Sequence, residues 1–341
     1  MSAQGGVDAT YVLPLRWTEP GPHEELAGYL AGLDLAETIV VDGSPPDVFA
    51  RHAAALDGVA THVKPAPGLR FLMGKVNGVV TGIRLATRPH VVIADDDVRY
   101  SPAALRRAVA LLAEADLVRP QNYFEPLSWH ARWDTARSLL NRVFSGDPAQ
   151  PAADFPGTLA LRREAFLAAG GYDGDVMFEN LELIRTIRAV GGRELAPLDL
   201  YVARRPPTAR HFLSQRVRQA YDDFALPLRL GFFLSLAPAA FLGRRQPAAL
   251  GAAAAAIAGV AEVGRRRAGG TAVFPATASL MAPLWLAERA VCSWLAVARR
   301  LTGGVRYGES RIPRAATPAR RLRRRYAPGP RASAARKPVS L

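Results

Sequence analysis

The sequence predicts an α/β fold, a parallel sheet covered by helices on both faces, followed by a region of apolar helices. Three observations carry this. Short, continuously apolar segments alternate with helix-like ones through the first half, as expected of strands buried on both faces. Serine and proline punctuate the alternation where helices should begin. The charge balance then changes: residues 1–223 hold 24 Lys and Arg against 27 Asp and Glu, whereas residues 224–341 hold 20 against 3.

Tyr11-Val12-Leu13-Pro14-Leu15 reads as the first buried strand, and residues 22–31 as a helix. Glu37-Thr38-Ile39-Val40-Val41 is the second strand, closed by Asp42-Gly43-Ser44. Ser44-Pro45-Pro46 predicts a helix start, with Ser44 as N-cap and proline in the first turn. Residues 73–86 suit a third helix, and His90-Val91-Val92-Ile93-Ala94 a third strand. Ser101-Pro102 repeats the cap signal and opens a helix to about Ala115. Ligands of such folds bind beyond the C-terminal ends of the strands. That rule points to Asp42 and to Asp95-Asp96-Asp97.

The chain has 341 residues, 49% hydrophobic and 22% charged, enough for a sizeable core and against wholesale disorder. Its single cysteine, Cys292, excludes an internal disulfide and a Cys-based zinc cluster. The first ten residues lack a basic segment followed by an apolar one, so no secretory signal is expected and the first domain should stay in the cytoplasm. Behind residue 223, stretches 226–242, 247–263 and 273–298 are apolar, separated by Arg244-Arg245 and Arg265-Arg266-Arg267. Each is marginal as a span, since ~20 apolar residues are usual. Arg229 interrupts the first, the second is alanine-rich, and Glu288-Arg289 interrupt the third. The region 224–310 reads as membrane-associated, with a soluble helical bundle as the alternative. Residues 311–341, rich in Arg, Pro and Ala, read as a disordered tail.

Three consecutive aspartates behind a buried strand repel one another and lose solvation. A hard Mg²⁺ or Mn²⁺ ion shared with a diphosphate relieves both penalties. Taken alone, the cluster could equally be a solvated turn. It is not alone. Val40-Val41-Asp42-Gly43-Ser44, Gly74-Lys75, and Val92-Ile93-Ala94-Asp95-Asp96-Asp97 occur in order. Pro156-Gly157-Thr158, Arg163, Gly170-Gly171-Tyr172-Asp173, Phe178-Glu179-Asn180 and Gln215-Arg216-Val217-Arg218 follow. Together, over residues 11–223, they resemble family 2 glycosyltransferases of the GT-A fold, in the membrane-associated branch near the ceramide glucosyltransferases.

The resemblance implies a catalytic domain over 1–223 that moves one sugar from a nucleotide sugar, a UDP-sugar by preference, with inversion. Asp42 would meet the uracil or ribose, and Arg16 would flank the base. Lys75 would line the nucleotide pocket. Asp95 would face the ribose side and Asp97 bind the metal, with Asp95 as its companion. Gln215, Arg216 and Arg218 match a Gln-X-X-Arg motif that holds the donor diphosphate, where arginine has a direct electrostatic use. Two departures stand out. Asn180 occupies the place of the family's general base and cannot take a proton. Glu179 is therefore the first candidate and Glu182, one helical turn on, the second. Gln219 replaces the motif's tryptophan, against a processive synthase. His211 is a further candidate for the metal or diphosphate, or simply structural.

Trp129, Trp133, Leu140 and Phe144 share one helical stripe, with Arg132, Arg137 and Arg142 elsewhere. A membrane interface and packing on the catalytic domain both explain it. The charge pattern favours a hairpin of 226–242 and 247–263 with both termini cytoplasmic. Stretch 273–298 would then lie in the interface, Trp285 and Trp294 at headgroup level. The expected partners are a nucleotide-sugar donor, a lipid or membrane-presented acceptor and the membrane surface; no nucleic acid is expected. Two other readings remain: a catalytically impaired binding protein of the same fold, favoured by Asn180, and a nucleotidyltransferase. The latter lacks the glycine-rich loop it would need at Leu15-Arg16-Trp17-Thr18-Glu19-Pro20.

Overall fold

Alternate residues of the first strand enter different cores. Tyr11, Leu13 and Leu15 are buried against the helices on one face of the sheet, and Val12 against those on the other. This is why the segment reads as continuously apolar. The computed structural model of the chain describes residues 6–19, 21–145, 155–308 and 310–326.

The elements run β1 (Val7–Leu15), α1 (His23–Ala31), β2 (Leu35–Asp42), α2 (Pro46–Leu56), β3 (Thr61–Val63), α3 (Gly74–Leu85), β4 (His90–Ala94), β5 (Val98–Arg99) and α4 (Pro102–Ala110). Then come β6 (Leu117–Val118), β7 (Gln121–Phe124), α5 (Trp129–Phe144), β8 (Thr158–Arg162), α6 (Arg163–Ala168), α7 (Glu179–Ala189), β9 (Glu194–Leu195), β10 (Tyr201–Arg204) and α8 (Ala209–Tyr221). The C-terminal part holds α9 (Pro227–Leu242), α10 (Pro247–Arg266), α11 (Ala276–Leu280), α12 (Ala282–Leu301), β11 (Val305–Tyr307), β12 (Ser310–Ile312) and α13 (Ala319–Arg325).

The main sheet has the order β3-β2-β1-β4-β8-β6-β9. It is not the all-parallel sheet expected. Strands β1 to β4 pair in parallel, but β8 runs antiparallel between β4 and β6. Ladder direction depends on where the chain returns, which apolar continuity does not encode. Helices α3 and α7 cover one face, and α1 and α4 the other. Helix α3 lies close on β1 because two of its three glycines, Gly78 and Gly82, face the strand. A Cβ on Gly78 would stand 2.9 Å from that of Pro14, and one on Gly82 only 2.4 Å from Val12 Cγ1.

Local signals held with small shifts. Ser101 caps α4, its hydroxyl accepting from the Ala104 amide at 3.2 Å, though α4 ends at Ala110 and a short 3₁₀ turn, Leu111–Ala113, follows. Ser44 is not the cap of α2, which Pro45 precedes. Its hydroxyl instead accepts from the Trp17 amide at 2.9 Å, bracing the loop after β1.

The C-terminal region is packed onto the α/β domain. Helix α12 lies against α5, α8 and α9, and α10 against α5. Trp285, expected at headgroup level, is buried in a cluster with Leu139 and Phe233. Trp133 and Leu140 of the α5 stripe pack against this cluster too, while Trp129 and Phe144 stay exposed. Arg142 is buried, donating to the carbonyls of Leu198, Gly264 and Arg267. Among the described residues one segment, Pro247–Ala272, is long and apolar enough to cross a membrane, and only 11% of its apolar window is buried. Residues 311–326, expected to be disordered, are ordered: Ile312, Ala315 and Leu322 are buried, the first two in the core beside the sheet. Residues 327–341 of the expected tail lie outside the described part.

Candidate active site

Two cavities open at the C-terminal ends of β1, β2 and β4, and both are lined by Asp95. The Asp95 amide donates to the Gly157 carbonyl at 2.8 Å, fixing the acidic loop against the start of β8. Gly157 lies close under the site: a Cβ there would meet Asp95 Oδ2 at 2.7 Å and displace that side chain or Arg204. The first cavity, about 350 Å³, is bordered by Arg16, Gly43, Lys75, Asn77, Asp96 and Tyr307. The second, about 250 Å³, is bordered by Asp97, Asp134, Glu179, Asn180, Arg204, His211, Gln215, Arg218 and Asp222.

Lys75, from the first turn of α3, joins the cavities. Its Nζ lies 2.6 Å from Asp95 Oδ1 and 2.7 Å from Glu179 Oε1. Burial works against its charge, but the two carboxylates outweigh burial and hold it protonated. Arg204, at the end of β10, places Nε 2.9 and 2.8 Å from the two oxygens of Asp97, with Nη2 3.7 Å from Asp95. Asp96 accepts from Trp17 Nε1 at 2.5 Å. Asp95, Asp96, Asp97 and Glu179 thus face two cations. Burial still raises the proton affinity of Asp97 above the usual carboxylate range, against the pull of Arg204. A wall of carboxylate oxygens with excess negative charge fits a hard divalent ion; Asp95 borders both cavities and Asp97 the second.

Asp42 is fully buried at the end of β2 and does not border either cavity. It accepts from the Ser44 amide at 2.8 Å, and its Oδ2 lies 2.7 Å from His52 Nδ1 and 3.0 Å from His62 Nε2. Burial opposes its ionisation, yet hydrogen bonds from His62, Ser44 and His52 hold it at about 2. The direct base contact expected of it is blocked; here it organises the loop. Arg16 is exposed on the rim of the first cavity.

Helix α8 presents only part of its motif. Gln215 and Arg218 reach the second cavity and bind each other, Nη1 to Oε1, at 2.7 Å. Arg216 points away from it. It is buried, pairs with Asp134 at 2.9 Å and Glu288 at 2.7 Å, and stacks on Phe212. The donor role expected of Arg216 is therefore a structural one: residues one apart on a helix face different sides. His211 borders the cavity from the same helix.

Of the candidate bases, Glu179 borders the second cavity, and its partner is Lys75. Glu182 does not border it: it is fully buried beneath the C-terminal segment, where it accepts from the Thr317 amide at 2.7 Å. That removes the second candidate from reach of an acceptor. Asn180 donates to the Pro156 carbonyl at 2.8 Å, holding the loop before β8. Asp222, Asp134, Arg204 and Tyr307 escaped the sequence reading. Asp222 alone carried a local signal, standing one helical turn beyond Arg218. The others reach the site through long-range packing.

No protein-family model matches the sequence, and no curated protein does. Solved structures do. A mannosyltransferase of Pyrobaculum calidifontis in complex with GDP-Man and Mn²⁺ superposes over 84% of this chain and 87% of its own, with a TM-score of 0.50 at 22% identity. Glucosyl-3-phosphoglycerate synthase of Mycobacterium tuberculosis, with Mn²⁺, UDP and phosphoglyceric acid, covers 60% of this chain and 72% of its own, at TM-score 0.40 and 22% identity. Mannosyl-3-phosphoglycerate synthase of Rubrobacter xylanophilus covers 61% and 69%, at TM-score 0.42 and 16% identity. The chain therefore shares the fold of the Pyrobaculum mannosyltransferase.

Proposed function

We propose that the chain is a metal-dependent glycosyltransferase that moves one hexose from a nucleoside-diphosphate sugar, with inversion, to a lipid-like acceptor at a membrane surface. The observation that carries this is the pair of cavities meeting at Asp95. One has Arg16 and Lys75 on its border, suited to a nucleotide; the other is lined with carboxylates, suited to an acceptor. When bound on Asp95 and Asp97, a Mg²⁺ or Mn²⁺ ion supplies positive charge to the departing diphosphate. Lys75 and Arg16 add fixed positive charge on the donor side. Trp17 and Ser44, braced through Asp42, hold the Arg16 loop. Glu179 fixes Lys75 and is the first candidate base left by the residues, since Asn180 holds the family's base position.

The membrane part rests on the C-terminal helices. Leu228, Phe232, Phe241 and Leu242 of α9, and Val260 and Val263 of α10, are exposed, and the exposed Arg244 and Arg245 lie between the two helices in the chain. Apolar side chains flanked by arginine suit an anionic bilayer surface on the cytoplasmic side.

The test is purified protein with Mn²⁺ and a panel of nucleotide sugars that includes UDP-sugars and GDP-Man, read as release of free nucleotide. Release from one donor, abolished by EDTA, is expected. Tight nucleotide binding without release from any donor would favour the second reading, a binding protein, for which Asn180 speaks.

A further inference from the structure

We propose that Asp222 is the general base: it takes the proton of an acceptor hydroxyl bound in the second cavity. This rests on the glycosyl-transfer reading above and assigns a residue that the motif series does not contain.

The other acids of that cavity are committed. Asp95 and Glu179 share Lys75, at 2.6 and 2.7 Å. Asp97 holds Arg204. Asp134 binds Arg216 at 2.9 Å and Arg137 at 3.5 Å; although burial opposes ionisation, the two arginines hold it at about 2. Such a carboxylate stays ionised but is a feeble base. Asn180, at the family's base position, has no basic atom and is spent on Pro156.

Asp222 differs. It follows α8 directly, borders the cavity, and its Oδ1 is enclosed with no hydrogen-bond partner. Arg218, one helical turn before it, binds Gln215 at 2.7 Å, and Arg229 pairs with the neighbouring Asp223 at 2.5 Å. The charged groups around Asp222 are Arg218 on α8, Glu179 on α7, Asp223 beside it and Arg289 on α12. Burial is the largest influence and pushes its carboxyl up to about 7; Arg218 and Arg289 oppose this, while Glu179 and Asp223 add to it. A half-buried carboxylate in a cleft, one oxygen enclosed without a hydrogen-bond partner and its affinity for protons matched to neutral pH, is the arrangement general-base catalysis needs.

In the step, the acceptor O–H bond breaks and its proton passes to an Asp222 oxygen. The freed electron pair forms the new bond to the anomeric carbon. The carbon–oxygen bond to the diphosphate breaks, its electrons leaving with the nucleoside diphosphate. Asp222 then gives the proton to water. An acceptor with an ionised phosphate as nucleophile would have no proton to give, so the proposal commits to a hydroxyl.

The experiment uses the full chain, Mn²⁺, the donor selected by the nucleotide-release screen, and phosphatidylcholine vesicles holding either diacylglycerol or a polyprenyl phosphate. Product is followed from about pH 5.5 to 8.5. Wild-type transfer to the hydroxyl acceptor should fall about tenfold per pH unit below a midpoint near 7. Asp222→Asn should lose ~10²–10⁴-fold in rate, with the pH limb gone and the thermal shift by Mn²⁺-nucleotide kept. An Asp222→Asn rate within tenfold of wild type, limb intact, overturns the proposal. So does transfer confined to the polyprenyl phosphate. If Asp222→Asn does not fold, Asp222→Glu decides: a slower enzyme with a pH limb supports the assignment, and one without a limb overturns it. Absence of nucleotide release in the wild type removes the glycosyltransferase reading itself, which the variants cannot mimic.

Discussion

Arg216 of α8 is bound to Glu288 of α12, Nη2 to Oε2 at 2.7 Å. Asp134 of α5 takes another nitrogen of the same guanidinium, and all three side chains are largely buried. The triad fastens the C-terminal helices to the α/β domain, and Asp134 also borders the second cavity. Glu288, awkward as part of a membrane-facing helix, has its partner inside the protein.

The first prediction follows from it. Arg216→Ala strands Asp134 and Glu288 in a buried setting, where breaking a pair costs about 3–5 kcal/mol. Urea unfolding should show a loss of that order, with nucleotide affinity per folded molecule little changed. A large affinity loss at unchanged stability would return Arg216 to the donor site.

Asp97→Ala should reduce nucleotide release more than ~10²-fold, as should EDTA, because the diphosphate then leaves without its counter-charge. Titration of Mn²⁺ into the variant should fail to restore the rate. Undiminished release in EDTA would rule out the metal.

Asp42→Asn should destabilise the domain at neutral pH. The folded carboxyl is held at about 2, below the ordinary 3.8, so its contribution is present above pH 4 and lost as pH falls towards 2. The gap in melting temperature between wild type and variant should therefore narrow over that window. A gap independent of pH would show that Asp42 acts by shape alone.

Asp222 carries the opposite sign. Its carboxyl is raised from 3.8 to about 7, so the folded state holds the proton more tightly than the unfolded chain. Stability from this group falls as pH rises from about 4 to 7. Asp222→Asn should melt higher than wild type at pH 8 and close to it at pH 4, while its transfer rate falls ~10²–10⁴-fold. A variant less stable than wild type at pH 8 would mean the carboxylate has an unrecognised partner.

Leu228→Glu with Phe232→Glu should weaken binding to anionic vesicles several-fold in co-sedimentation without lowering the melting temperature, since Leu228 is 92% and Phe232 53% exposed. Unchanged vesicle binding would place the contact on another surface.

The sequence by itself determined the strands and helices of the first half, because apolar period and helix caps are local properties of the chain. It placed Asp95–Asp97 behind β4 and Lys75 at the start of α3 for the same reason. Only the tertiary structure decided what these residues meet. The antiparallel return of β8 sets Gly157 against Asp95, and β10 delivers Arg204 to Asp97. Identical helical spacing sends Gln215 and Arg218 into the cavity but Arg216 into the bundle, and leaves Glu182 under Thr317. The Arg-rich segment that reads as a disordered tail returns to bury Ile312 and Leu322, and β11 brings Tyr307 to the rim of the first cavity. Periodicity states which side of an element is buried, but not against what. Pairing between distant segments is settled by how the whole chain excludes water and by the few places where a buried charge finds its counter-charge.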